Sequence, residues 1–251
     1  MSAGRCSALA ATRVVALVLT LAAAPLGAQT TIGLRGGIGA ATLSGDESVA
    51  RRASAFKETR YGIVSGIDAG IPLSGGLGVR IGIGLAQKGG GADVPPSITV
   101  GRTLAEAMAE LDYLQFSTLL RLSADAQEGS LNFGLLAGPY LAFNLSCNVA
   151  VTTHETQNTR PPVPPGIPNR VPSGRTRMAA DTGVACGEDG VSEVTSSDFG
   201  LAFGAGFEVK LSDSLGLGFE LIYAMGLSEI DDAGNRNRQV TFQSGLVFAI
   251  G

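Results

Sequence analysis

The sequence contains no Trp, one His and three Cys in 251 residues, and only 16% of its side chains are charged. One His and three Cys are too few for a zinc-centred protein, whose structural sites take four N or S ligands. The low charge, against about 25% in soluble domains, and the 45% apolar content exclude a long disordered acidic chain. A net charge of −4 at pH 7 argues against a nucleic-acid binder, which needs a basic footprint. After the first 28 residues no apolar run approaches the roughly 20 residues of a membrane helix. Gly is the abundant residue: 36 of 251, about twice its usual share of roughly 7%. It does not fall at every third position, so collagen is excluded.

Residues 1–28 have the layout of a cleaved export signal. Arg5 and Arg13 supply the basic end, Val14 to Ala24 the apolar run, and Leu26-Gly27-Ala28 a small-residue cleavage site. The mature part, 29–251, reads as a single domain with no second domain and no repeat beyond its hairpins. Cys6 leaves with the signal. An even pair, Cys147 and Cys186, remains in an oxidising compartment and is expected to form a disulfide.

The mature sequence alternates with period 2, the mark of strands with one apolar face. From 198 to 211, Phe199, Leu201, Phe203, Ala205, Phe207, Val209 and Leu211 form one face, and Gly, Asp198, Glu208 and Lys210 dominate the other. Eight such segments are predicted, at about 31–42, 60–72, 76–88, 112–123, 130–146, 197–211, 214–227 and 238–250. Their connections alternate in length. Short turns (73–75, 124–129, 212–213) alternate with long segments (43–59, 89–111, 147–196 and 228–237). That asymmetry describes an all-β, eight-stranded antiparallel up-and-down barrel across an outer membrane, with periplasmic turns and extracellular loops. Within the second long segment, Thr103 and Glu106 have capping-box spacing before an Ala-rich stretch, which predicts a short helix to Leu111. The third is rich in Pro between Pro161 and Pro172, which predicts irregular chain.

The apolar face is nearly uninterrupted Leu, Ile, Val and Phe, whereas the opposite face is Gly with isolated charges. A water-facing surface would carry many Lys, Glu, Ser and Thr. A crowded barrel interior favours Gly beside a few large, paired side chains. The expected lumen network is therefore Arg35, Arg80 and Arg121 with Asp68, Glu208 and Glu220, paired because isolated buried charge is costly. Gln115, Asn132, Tyr140, Gln239 and Gln243 would extend it. Such a set reads as a plug of ion pairs or as an ion path, and the narrow eight-stranded lumen favours the plug. Tyr61 and Tyr223 fall near the loop ends of the apolar face. With no Trp, Phe133, Phe143, Phe199, Phe219, Phe242 and Phe248 must supply the rest of an aromatic girdle.

Several segments resemble the porin-family outer-membrane β-barrel domain proteins of diderm bacteria, in the small eight-stranded group. The matches are Ile32-Gly-Leu-Arg-Gly-Gly-Ile38 to the opening strand, Leu111-Asp-Tyr-Leu-Gln-Phe-Ser-Thr-Leu-Leu-Arg-Leu122 to the fourth, and Gly138-Pro-Tyr-Leu141 to the fifth. Asp198 to Gly206 and Glu220 to Leu227 resemble the sixth and seventh. Gln243, Gly245, Phe248 and Ile250 are similar to the last-strand signal read by the barrel-assembly machinery, although the terminal aromatic is missing. The resemblance implies outer-membrane lipid as surroundings, no cofactor and no common substrate.

Other constellations are weak. His154, between Thr153 and Glu155, has no fixed partner that would make it a catalytic base. Gly33, Gly36, Gly37 and Gly39 have no following helix, so a phosphate loop is not expected. Glu188, Asp189 and Glu193 lack calcium-loop spacing and read as a solvated acidic stretch rather than a metal site. The sequence thus points to a non-enzymatic barrel that meets an unknown extracellular partner through its loops. The alternatives are a small passive channel, an enzyme on envelope lipid, or a soluble periplasmic ligand binder.

Overall fold

The computed structural model describes residues 30–44, 58–94, 103–126, 130–157, 175–186, 194–231 and 234–250. The signal segment 1–28, the Pro-rich stretch 161–172, and Glu188, Asp189 and Glu193 lie outside them. Nine strands follow in order: β1 Thr30–Ser44, β2 Glu58–Ser74, β3 Leu77–Val94, β4 Thr103–Ala126, β5 Leu131–Gln157, β6 Arg175–Ala185, β7 Ser197–Lys210, β8 Leu215–Gly226 and β9 Arg236–Ile250. Eight of them close an antiparallel ring, β1-β2-β3-β4-β5-β7-β8-β9, with β9 returning to β1. The ninth, β6, lies outside the ring and pairs with the far half of β5.

The three short connections and both ends of the barrel domain share one rim, the turn end, where Thr30 pairs with Ile250. The β2–β3 turn is the tightest. Gly75 and Gly76 have φ of +58° and +80° between the paired Ser74 and Leu77. Two successive positive φ values make the primed hairpin turn whose twist matches the strands, and Gly adopts them without steric cost.

Two expectations are corrected at the opposite rim, the loop end. The stretch from Thr103 to Leu111 is strand, not helix: its backbone pairs with β3 on one side (Val94↔Ala105) and with β5 on the other (Thr103↔Glu155). Ala, Glu and Met favour a helix locally, but a ladder on both edges from Ala105 onward supplies partners for the backbone groups and overrides a weak local preference. The segments read as loops 89–111 and 147–196 are likewise shorter than expected. β3, β4 and β5 run on past the ring, and β6 adds a fourth strand from within the third loop. His154 consequently lies in strand, its backbone between Leu104 and Met178, rather than in a loop.

The faces are inverted relative to a water-soluble fold. Leu34 is 56% exposed, Ile63 65%, Leu135 59% and Phe242 50%, whereas Lys88 and Asp198 are each 0% exposed. Six outward positions of β9 run from Val240 to Ile250 with only Ser244 polar, and Arg238 and Arg236 follow toward the loop end. Ten residues at about 3.4 Å each, tilted by about 40°, span about 26 Å, matching an apolar band about 25 Å tall. At its loop-side edge, Tyr223, Val240, Ala40 and Tyr61 are register partners on four adjacent strands. The two tyrosines therefore lie on one line of register partners, three strands apart, on the outer wall.

Candidate functional site: the barrel lumen

Inward-facing positions of the strands bring polar side chains together in two layers. The layer nearer the turn end contains the six charges predicted from the sequence. Arg35 on β1 is paired with Asp68 on β2 and lies 3.1 Å from Glu220 on β8. Arg80 on β3 reaches the same Glu220 Oε1 at 2.5 Å. Arg121 on β4 pairs with Glu208 on β7 at 3.3 Å and donates to Asn132 Oδ1 at 2.8 Å. Arg35, Asp68, Arg80 and Glu220 are buried, but Arg121 and Glu208 each keep 23% side-chain exposure.

Glycine makes room for this layer. A Cβ at Gly33 would stand 2.8 Å from the Asp68 carboxylate, and one at Gly216 would stand 2.7 Å from Glu208 Oε1. The Gly-rich inner face is the complement of the large charged side chains, because an eight-stranded lumen has room for one or the other at each level.

The second layer lies toward the loop end, and its ion pair is not among those expected from the sequence, which places Lys88 and Asp198 on the glycine-rich face without pairing them. Lys88 on β3 donates to Asp198 Oδ2 on β7 at 3.1 Å, and neither side chain has any exposure. The same oxygen accepts from the Tyr140 hydroxyl at 3.2 Å and from Asn237 Nδ2 at 3.1 Å. The other carboxylate oxygen accepts from Ser228 Oγ at 3.2 Å. The Lys88 ammonium sits 4.3 Å from the centre of the Tyr140 ring and 5.2 Å from that of Tyr113, so aromatic faces stabilise the cation on its remaining sides. Asn237 Nδ2 also donates to the Tyr113 hydroxyl at 3.3 Å. Leu111, Ala142 and Ile230, all nearly inaccessible, pack around the cluster.

Strand parity was the available signal. Lys88 lies eight residues from Arg80 on one strand, and Tyr113 lies eight from Arg121 on another, so each pair shares a face. What parity does not give is height along the barrel, which decides that Lys88 meets Asp198 rather than Glu220.

Between the layers lies a cavity of about 90 Å³ with mixed walls: Gln115, Ser117, Gln239, Thr241 and Gln243 beside Val64, Leu119 and Ile222. Buried Gln115 Oε1 has no hydrogen-bond partner among the described residues. A second cavity of about 610 Å³ opens at the turn end, lined by Arg80, Arg121, Asp125, Asn132, Glu208 and Lys210 among others. Arg35, Asp68 and Arg80 line both cavities. Of the other predicted polar residues, Gln239 donates to the Gln87 carbonyl at 2.8 Å and Gln243 to Thr241 Oγ1 at 3.3 Å.

Outside the lumen, Cys147 and Cys186 are joined as a disulfide, with Cα atoms 5.5 Å apart, where the β5–β6 hairpin leaves the ring. Gln243, Gly245, Phe248 and Ile250 all lie on β9, the strand that closes the ring against β1; Phe248 and Ile250 face outward. Gly33, Gly36, Gly37 and Gly39 lie within β1, with no helix following.

A family model described as outer membrane protein beta-barrel domain matches residues 27–232. No curated protein matches the chain. Among solved structures, it is similar to the outer membrane protein OprG of Pseudomonas aeruginosa at 10% identity, over 89% of this chain and 96% of that one, with a TM-score of 0.47. It is similar to Ail, the attachment invasion locus protein of Yersinia pestis, at 12% identity over 88% and 99%, with a TM-score of 0.36. Neisserial surface protein A aligns at 10% identity over 88% and 97%, with a TM-score of 0.39.

Proposed function

Because the chain belongs to the outer-membrane protein β-barrel domain family and its place is the outer membrane, we propose that it is a non-conducting barrel that displays its loop end to an extracellular partner. The observation that carries this reading is the lumen. Lys88 and Asp198 close one level with no exposure, and Arg35, Asp68, Arg80 and Glu220 fill another. A side-chain-filled interior suits an eight-stranded barrel, whose diameter leaves no aqueous pore.

The displayed element is the sheet formed where β3, β4, β5 and β6 continue past the ring, together with the loops it carries. Recognition on a rigid scaffold falls to such projections, and the Cys147–Cys186 bridge fixes the base of the β5–β6 hairpin. Residues 1–28 act as the cleaved export signal, and Gln243, Gly245, Phe248 and Ile250 as the last-strand signal for the barrel-assembly machinery.

The test is conductance. The refolded wild-type protein, shown to be closed by its heat-dependent gel mobility, is expected to give no single-channel steps in a planar bilayer. Steps in that preparation would replace this reading with that of a small passive channel. The specific feature favouring the channel is the sequence of two cavities, of 610 Å³ and 90 Å³, that share Arg35, Asp68 and Arg80 as walls.

A further inference from the structure

We infer that the Lys88–Asp198 layer alone seals the lumen, and that the arginine-rich layer below it passes water and small ions from the turn end as far as the internal cavity. This rests on the non-conducting reading above and assigns it to particular residues.

The two layers differ in ways that decide permeability. In the loop-side layer Lys88, Asp198, Tyr113, Tyr140 and Asn237 are all at most 2% exposed, and none of them lines either of the two cavities described above. Asp198 accepts four hydrogen bonds there, from four different side chains. The rings of Tyr140 and Tyr113 stand beside the ammonium at that level. Water crossing this level would have to displace a fully hydrogen-bonded carboxylate from its partners, which is costly in a low-dielectric interior.

The turn-side layer is one side chain thick, because Arg35, Asp68 and Arg80 each border the outer cavity on one side and the inner cavity on the other. Its Arg121–Glu208 pair is 23% exposed on both partners, so solvent already reaches part of it. Gln115 Oε1 and Glu220 Oε2 lack partners among the described residues, as does Asn237 Oδ1 in the loop-side layer. Gln115 borders the inner cavity. A space of about 90 Å³ that these polar side chains share with apolar ones is large enough for several water molecules that would satisfy such groups. On this inference the inner cavity is a hydrated continuation of the turn-end cavity that stops short of the Lys88–Asp198 level, since neither residue borders it.

The experiment compares charge-balanced double variants in planar bilayers, each first shown to be folded by its heat-dependent gel shift. Wild-type steps would defeat the non-conducting reading itself, before the inference is reached. With a silent wild type, Lys88→Ala with Asp198→Ala is expected to produce discrete steps, because it joins the inner cavity to the loop end without leaving a lone charge. Arg80→Ala with Glu220→Ala is expected to stay silent, because the seal above it is intact. Should the first variant fail to fold, Tyr113→Ala with Tyr140→Ala opens the same level while keeping the ion pair, with the same expectation. Steps from Arg80→Ala/Glu220→Ala would overturn the inference. So would silence from a folded variant of the Lys88 level.

Discussion

Lys88 on β3 and Asp198 on β7 meet across the lumen with Nζ and Oδ2 3.1 Å apart, both with no exposure to solvent. The strands that carry them are three steps apart around the eight-stranded ring. This pair is therefore a tie across the barrel rather than along its wall. Removing Asp198 alone leaves an unpaired ammonium in the interior, so Asp198→Ala is expected to cost about 3–5 kcal/mol. Lys88→Met with Asp198→Leu removes both charges and keeps the volume, and is expected to cost less than the single variant. Urea titration of the refolded protein, followed by the heat-shifted gel band, measures both; a double variant less stable than the single would contradict this account.

The two acidic partners of the turn-side layer are expected to differ in weight. Glu220 is buried and holds Arg35 and Arg80 together, whereas Glu208 is partly exposed and holds Arg121 alone. Glu220→Gln is expected to destabilise by about 3 kcal/mol, as for a broken buried pair. Glu208→Gln is expected to cost about 1 kcal/mol or less, near the range of solvent-reached pairs. Equal effects in the same titration would show that both pairs share one environment.

The outward face gives a depth-dependent prediction. Leu246 lies near the middle of the apolar run on β9 and Val240 at its loop-side edge. Leu246→Arg is expected to cost about 2–4 kcal/mol in a lipid bilayer, and Val240→Arg about 0–1 kcal/mol. Refolding into vesicles at graded urea concentrations reads the difference. A larger penalty at Val240 would displace the membrane band from its assigned level.

The disulfide is expected to act on the projecting hairpin rather than on the barrel. Its 39-residue separation corresponds to about 4 kcal/mol of loop-closure entropy in the chain-entropy account. The closed loop contains β6, which takes no part in the ring. Cys147→Ser with Cys186→Ser is expected to speed protease cleavage between 148 and 185 while leaving the heat-dependent mobility of the barrel core unchanged. Loss of that mobility shift would mean that the bridge supports the ring itself.

The extension of β4 is checked by amide exchange. The stretch Ala105 to Ala109 pairs with β3 and β5 on its two edges. Its amides are expected to exchange slowly, with no helical signal in circular dichroism. Exchange as fast as in an isolated peptide would return the stretch to a loop.

Alternation from Phe199 to Leu211 already told which side chains share a wall, and the unequal connections told that the strands form hairpins with one short end. These are local properties: a strand reverses its side chains at every residue whatever its neighbours are, and a short linker forces adjacent strands to be antiparallel. The six lumen charges were legible for the same reason, because a charge among glycines on one face has nowhere to go but the interior. The Thr103 to Leu111 stretch was misread because its residues favour a helix by tenths of a kcal/mol each, whereas pairing on two edges from Ala105 onward supplies partners for the backbone groups. No local pattern announces that both edges will be filled.

The sequence by itself thus determined the eight ring strands, though not β6 or their loop-end extensions, together with their inward and outward faces and the mixed-charge, glycine-lined character of the lumen. Only the tertiary structure decided which charge meets which. Partners such as Lys88 and Asp198 are 110 residues apart, and their contact depends on the stagger that accumulates as eight tilted strands close into a ring. That stagger is a property of the closed ladder and of no single strand, so it placed Lys88 beside Asp198 and two tyrosines, and left Glu220 to Arg35 and Arg80.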